Sequence, residues 1–167
     1  MNWFAEQLNF NLHWVANIIG TVALLMGIAM FLSGIFQLKK LGESRTMMSS
    51  EHSAAGPLMM LLAGAALMIL PTFIDSALLA FWSTDTPLRY EGGSGGYDAL
   101  VPPILLFIRI VGVISFIRGI VLLSRTGGRQ SQPGTMSRAM IHLLAGILCV
   151  HILGTLELLG SIMGLAG

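Results

Sequence analysis

Residues 112–120 read GVISFIRGI, and they echo residues 27–35, which read GIAMFLSGI. In both places a basic polar loop follows, and after it comes the same tetrapeptide, LLAG, at 61–64 and again at 143–146. An acidic residue follows each copy at the same distance, Asp75 in the first and Glu157 in the second. This repetition indicates one helix–loop–helix unit that occurs twice in the chain.

The composition is typical of a membrane protein. The charged residues make up 10% of the chain and the hydrophobic residues 54%, with a mean hydropathy of +0.80. A soluble domain usually carries about a quarter charged residues. The net charge of +1 says little about partners, because the charges are segregated along the chain. Cys149 lies in an apolar run, which favours a small buried side chain over a reactive thiol.

Four apolar runs are long enough to cross a bilayer, since a hydrocarbon core of about 30 Å needs about 20 residues of helix. The sequence therefore predicts an all-α membrane protein with four transmembrane helices, arranged as two tandem helix–basic loop–helix hairpins. Pro71 removes a helical hydrogen bond and predicts a kink in the second span. The predicted segments are an interfacial N-terminal segment at 1–13, a first hairpin at 14–82, a Gly-rich periplasmic loop at 83–99 and a second hairpin at 100–167.

The basic residues predict the orientation. Of nine Lys and Arg residues, six lie in the two loops inside the hairpins: Lys39, Lys40, Arg45, Arg125, Arg129 and Arg138. The middle loop carries Arg89 alone. Because cytoplasmic loops are enriched in Lys and Arg, both hairpin loops are predicted to be cytoplasmic and both termini periplasmic.

Small residues predict where helices pack, because glycine lets two backbones approach closely within a membrane. The glycines concerned are Gly20, Gly27, Gly34, Gly112, Gly119, Gly160 and Gly164. The first three recur at every seventh residue, and the last two form a Gly-x-x-x-Gly pair. We expect the two halves to pack against each other through these glycine faces.

Ionisable residues within the spans are candidate functional residues, because they are costly in a membrane. Asp75 and Glu157 are each predicted about 27 Å above the cytoplasmic end of their helix. Arg109 is predicted about 9 Å below the outer face, where its long side chain can bridge the difference. Two interpretations are open: Arg109 pairs with Asp75 or Glu157, or each side chain extends singly to water.

Arg118 is predicted to face away from Arg109 and to lie close enough to the cytoplasm to meet anionic headgroups together with Arg125. His142 and His151 are too far apart to share a metal on one straight helix, so no metal site is predicted. The sequence contains no phosphate-binding loop and no nucleophile motif. We therefore predict no catalytic residues, no enzyme and no cofactor, with bound phospholipid as the one candidate ligand.

The residues around the basic loops resemble a known family. The stretch GIFQLKKLGESRTMMSS at 34–50 resembles the IcmC/DotE family of type IVB secretion systems, whose relatives include the TraQ proteins of IncI-type conjugative plasmids. The stretches FIRGI at 116–120, QPGT at 132–135 and HLLAGILC at 142–149 are similar to the second half of the family's pattern. The resemblance implies a non-enzymatic subunit in the bacterial inner membrane, within an apparatus that moves DNA or protein.

Two other interpretations stay open. Each half also looks like a conjugative pilin, which implies a tandem pilin-like subunit of an extracellular pilus with its basic loops facing a lumen or lipid. A small transporter or channel would instead use Arg109, Asp75 and Glu157. The expected partners are membrane lipids, further copies of the chain and other secretion subunits, because repeated similar faces favour oligomers. The basic residues would form a positive annulus that also suits nucleic acid.

Overall fold

Six α-helices make up the part of the chain that a computed structural model describes, which is residues 2–45, 54–83, 100–127 and 133–164. The helices are α1 (Asn2–Arg45), α2 (Ala55–Met68), α3 (Leu70–Trp82), α4 (Val101–Ser124), α5 (Thr135–Val150) and α6 (Ile152–Ile162). These described residues contain no strand, so the prediction of an all-helical protein is confirmed for them.

Two helices, α1 and α4, are individually long and apolar enough to cross a membrane. The second and fourth predicted spans are not straight helices. The axis turns by 93° between α2 and α3 and by 98° between α5 and α6. Length and composition therefore allow two crossings, or up to four if each bent pair forms one span.

The two right-angle corners occupy the same position of the repeat. Ile69 follows the LLAG of the first hairpin at the distance at which His151 follows that of the second. Ile69 has φ −104° and ψ 31°, and His151 has φ −105° and ψ 54°. Both residues still donate a helical hydrogen bond, Ile69 to the carbonyl of Ala65 at 3.2 Å and His151 to that of Ile147 at 3.1 Å. The duplication thus extends to the backbone of the corners.

The kink predicted from Pro71 is present, because the helix axis turns at Ile69 and Pro71 is the second residue of α3. The residue before a proline avoids the α conformation, which favours a helix boundary there. The corner at His151 has no proline, and the sequence pattern predicted no bend in the fourth span.

The N-terminal segment belongs to the first helix. The predicted interfacial segment, residues 1–13, is continuous with the predicted span, since α1 begins at Asn2. Its location at a membrane interface stays a prediction. Nearly all of the predicted Gly-rich loop, residues 84–99, lies outside the described residues.

The chain forms two compact units. Unit one contains Met1–Ile19, Pro71–Phe116 and Leu144–Gly167, and its buried side chains include Phe116, Leu78 and Ile147. The rings of Phe73 and Phe116 lie 5.8 Å apart within it.

Unit two contains Gly20–Leu70 and Ile117–Leu143. Its buried side chains include Leu67, Ile120 and Ala139. Each unit therefore takes residues from both hairpins.

Candidate functional site

The first hairpin is held by glycine contacts between α1 and α2. A methyl group built on Gly27 would lie 2.9 Å from the carbonyl oxygen of Gly64 and 2.9 Å from the amide nitrogen of Met68. A methyl group on Gly64 would lie 2.7 Å from the amide nitrogen of Phe31. These spaces are too small for any side chain, so the two backbones approach closely, as small residues permit in membrane helices. Gly34 makes the next contact, on Leu61.

The second hairpin repeats these contacts between α4 and α5. A methyl group on Gly112 would lie 2.8 Å from the carbonyl oxygen of Gly146 and 2.9 Å from the amide nitrogen of Val150. A methyl group on Gly146 would lie 2.8 Å from the amide nitrogen of Phe116. Gly119 corresponds to Gly34 and makes the equivalent contact with Leu143. Both hairpins therefore use the same atoms of the repeat to pack.

This packing differs from the expected one, in which glycine faces join the two halves. The close contacts of Gly27 and Gly112 lie inside each hairpin, because a short loop makes consecutive helices neighbours. Within unit two the halves meet at Gly127, where a methyl group would lie 2.6 Å from the carbonyl oxygen of Ala55. The repeat pattern did not indicate Gly127, which lies beyond the repeated motif.

Three other predicted packing glycines have no such neighbour. Methyl groups built on Gly20, Gly160 and Gly164 meet nothing within 4 Å among the described residues. Gly164 instead adopts a positive φ of 68° in the turn after α6. A packing role for these three, for example against another molecule, stays a prediction.

The charged side chains divide unequally between the units. The cations of unit two with exposed, described side chains are Lys39, Lys40, Arg118, Arg125 and Arg138. The described acid of that unit is Glu43, whose carboxylate lies 3.9 Å from the Lys39 ammonium group. Unit two is therefore strongly positive in its described part. The side chain of Arg45 and the whole of Arg129 lie outside the described residues.

Unit one has the opposite balance. Its described acids are Glu6, Asp75 and Glu157, all exposed, and its described Lys or Arg residue is Arg109. The sequence showed basic loops, and the structure adds that the cations near them share one compact unit.

The three predicted intramembrane candidates lie on three different helices. Asp75 on α3 and Glu157 on α6 are exposed, whereas Arg109 on α4 is partly buried. Among the described ion pairs, none joins Arg109 to either acid. Arg109 is engaged in another interaction. The two acids occupy equivalent positions of the repeat, one on each helix that follows a corner.

His151 forms the corner between α5 and α6. Its Nδ1 atom accepts a hydrogen bond from the backbone N–H of Gly154 at 3.0 Å, which caps the N-terminus of α6. The imidazole stacks on the indole of Trp82, with ring centroids 4.8 Å apart and planes 7° apart. It is buried, with 2% of its surface exposed. A Cβ atom at Gly154 would overlap the imidazole ring, so glycine is needed there.

The hydroxyl of Thr155 reinforces the same corner. It lies 2.8 Å from the carbonyl oxygen of Leu148 and 2.9 Å from that of His151, and it can donate to either. The Leu148 carbonyl belongs to the last turn of α5, where helical carbonyls lack helical partners. A His-x-x-Gly-Thr sequence at the position aligned with Ile69 is the signal in the sequence for this corner.

No metal centre is found among the described residues, where no three His, Cys, Asp or Glu side chains group together. His151 also does not fit a metal ligand as it stands. Since Nδ1 accepts the Gly154 N–H, the neutral ring carries its proton on Nε2, and that nitrogen has no lone pair to offer a metal. Cys149 is partly buried, and its Cβ atom lines the close contact at Gly112.

The chain matches no protein-family model, no characterised protein and no solved structure.

Proposed function

We propose that this chain is a non-enzymatic subunit of a type IVB secretion or conjugation apparatus in the bacterial inner membrane, and that it assembles there through lateral contacts. The resemblance of residues 34–50, 116–120, 132–135 and 142–149 to the IcmC/DotE family supports the class of apparatus. The observation that carries the assembly is the structural duplication, in which two hairpins share the same glycine contacts and the same corner. Repeated similar faces favour rings or helical arrays.

The proposed topology has four crossings, with both hairpin loops in the cytoplasm and both termini in the periplasm. The positive charge of unit two supports a cytoplasmic location for both hairpin loops, because Lys and Arg residues near the ends of spans are enriched on the cytoplasmic side. Helices α2 and α5 have 14 and 16 residues, or about 21 and 24 Å at 1.5 Å per residue. Since a hydrocarbon core is about 30 Å thick, the chain would complete each crossing in a locally thinned bilayer. Helices α3 and α6 would then lie along the periplasmic interface, with Asp75 and Glu157 toward the headgroups.

The open face of α1 is the proposed lateral contact. Within unit two, α1 buries Ala23, Gly27 and Gly34 along one narrow line. The exposed face includes apolar residues with spacings of three and four, namely Leu25, Ile28, Leu32 and Ile35. That spacing suits helix–helix packing, and lipid would cover whatever part of the face another copy leaves open.

The exposed cations of unit two are the proposed site for anionic phospholipid. Each basic residue near a membrane surface contributes on the order of 1 kcal/mol toward anionic lipid. In an oligomer these residues would form a positive annulus at the cytoplasmic side. Nucleic acid or an acidic partner protein would suit the same charges.

Disulfide crosslinking in native membranes tests the assembly. In a Cys149→Ala background, we expect Leu32→Cys to form a covalent dimer on oxidation. Ala23→Cys is the matched control, because Ala23 lies on the buried line of the same helix and is expected to give monomer only. Equal crosslinking of both variants, or none with Leu32→Cys, would contradict the lateral contact.

Native mass measurement tests the lipid. From bilayers that contain phosphatidylglycerol, we expect an oligomer that retains this lipid, and retention that falls when Arg125 and Arg138 are both changed to Gln. A lipid-free monomer would refute both the assembly and the lipid site.

Deletion of the gene in its host tests the apparatus. We expect transfer of the plasmid or effector substrate to fall at least tenfold, and the intact chain supplied in trans to restore it. Normal transfer without the gene would exclude the proposed role.

A tandem pilin-like subunit is the second candidate, supported by the same duplicated hairpin with basic loops. Cell fractionation separates the two functions. Recovery of the chain in sheared extracellular filaments would favour the pilin, and recovery confined to the inner membrane would favour a fixed subunit.

A further inference from the structure

The two equivalent corners are held by different chemistry. At the first, Pro71 lies two residues after Ile69, which is 56% exposed and whose side chain has no hydrogen-bonding group. At the second, the backbone takes nearly the same φ without a proline, and the side chain of His151 caps the following helix. A proline ring does not titrate, whereas an imidazole changes charge between about pH 5 and 8. The repeat therefore has one corner without an ionisable side chain at the turn and one with an imidazole there.

The hydrogen bond at the His151 corner requires one particular ring nitrogen to carry no proton. A hydrogen-bond acceptor must have a free lone pair, so Nδ1 is unprotonated while it accepts the Gly154 N–H. The remaining proton of the neutral ring is on Nε2, which has no hydrogen-bond partner in the described structure. A proton added to the ring can bind only at Nδ1. The added proton would point at the Gly154 N–H. Two donors would then face each other, and the hydrogen bond between Gly154 and His151 would be lost.

We propose that the corner between α5 and α6 is a proton-sensitive hinge. Neutral His151 holds α6 at a right angle to α5, and protonation of Nδ1 removes the cap and releases α6. The Trp82 contact does not prevent this step, because an imidazolium can stay stacked on an indole by cation–π attraction while the backbone of Gly154 moves away. The Thr155 hydroxyl does not lock the corner either, because it can donate to the His151 carbonyl when it leaves the Leu148 carbonyl.

No neighbouring charged group compensates for the added proton. Besides His151, the described titratable or charged residues of unit one are Glu6 and His13 on α1, Asp75 on α3, Arg109 on α4, Cys149 on α5 and Glu157 on α6. None of them is hydrogen-bonded or ion-paired to the His151 ring in the described structure, whose polar contact is with Gly154. Asp75 and Glu157 are exposed, so solvent or headgroups screen them.

The test measures the corner angle at two pH values in the full-length protein, reconstituted in bilayers. Spin labels are attached in a Cys149→Ala background, which keeps the Cβ atom that packs at Gly112. The reporter pair is Leu144→Cys with Ile162→Cys, both exposed. At 1.5 Å per residue and a turn of 98°, the labelled helix positions are about 18 Å apart, and about 27 Å apart if the corner straightens. We expect the distance to lengthen by more than about 3 Å between pH 8 and pH 5.

The repeat offers a matched control in the same chain. Leu62→Cys with Ala80→Cys places labels at the equivalent positions around Ile69, and this distance is expected not to change with pH. A second control is His151→Asn, since an asparagine oxygen can cap the helix at any pH; the reporter pair should then lose its pH response. A constant reporter distance in the chain with His151, or an equal response at both corners, would overturn the hinge. An unchanged response in His151→Asn would overturn it as well.

Discussion

Six glycines determine how closely the helices of each hairpin pack. Gly27, Gly34 and Gly64 in the first hairpin correspond to Gly112, Gly119 and Gly146 in the second, and each correspondence preserves the contacted atoms. In a membrane, van der Waals contact of this kind replaces the hydrophobic effect as the force between helices. The glycines are therefore part of the stability of each hairpin.

Alanine substitutions test this role, with a control in the same helix. We expect Gly27→Ala and Gly112→Ala to cost about 1–3 kcal/mol, because the new methyl group meets backbone atoms that cannot turn aside. Gly20→Ala meets nothing within 4 Å and should stabilise by up to about 1 kcal/mol through helix propensity. Thermal unfolding in detergent measures all three. A melting temperature that falls equally in the three variants would refute the glycine contacts.

At this scale the sequence predicted some of the packing glycines but not what they pack against. The repeated motif identified Gly27 and Gly112 correctly as close-contact residues. It could not show whether these glycines contact the same hairpin or the other half, because the glycine pattern of one helix does not identify the helix that packs against it. Gly20 follows the same seven-residue spacing and has no close neighbour among the described residues, so spacing alone overestimated the contacts.

At the scale of the elements, the second and fourth predicted spans are not straight, because each contains a corner of about a right angle. The first corner was predictable because Pro71 cannot donate a helical hydrogen bond. The second depends on a side-chain cap by His151, on the absence of a Cβ atom at Gly154 and on the hydroxyl of Thr155. Each of these residues is common within helices, so the pattern is weak until the alignment with Ile69 is considered.

Replacement of the proline tests the first corner. We expect Pro71→Ala to open the angle between α2 and α3, because alanine restores the missing donor and removes the ring that opposes a continuous helix. Spin labels at Leu62→Cys and Ala80→Cys should move apart. Pro102→Ala, which changes an exposed proline at the second position of α4, should leave that distance unchanged. A corner that keeps its angle without Pro71 would show that packing alone maintains it.

At the scale of the whole molecule, the two compact units differ in charge. The exposed described cations Lys39, Lys40, Arg118, Arg125 and Arg138 belong to unit two, and the exposed acids Asp75 and Glu157 belong to unit one. The sequence predicted that the hairpin loops are basic. The resemblance of those loops to secretion proteins is the reason for the proposed apparatus. The sequence could not predict that each unit would be built from both hairpins, because that depends on where the corners lie.

The central claim is that each bent pair crosses the membrane and places its basic loop in the cytoplasm. Alkaline phosphatase, which is active only in the periplasm, tests this when fused after Gly93, after Gly128 and after Gly167. Four crossings predict activity for the first, none for the second and activity for the third. If α2 and α3 instead enter and leave on the cytoplasmic side, the Gly93 fusion would be inactive and the crossing of α4 would make the Gly128 fusion active, and the proposed topology would be contradicted.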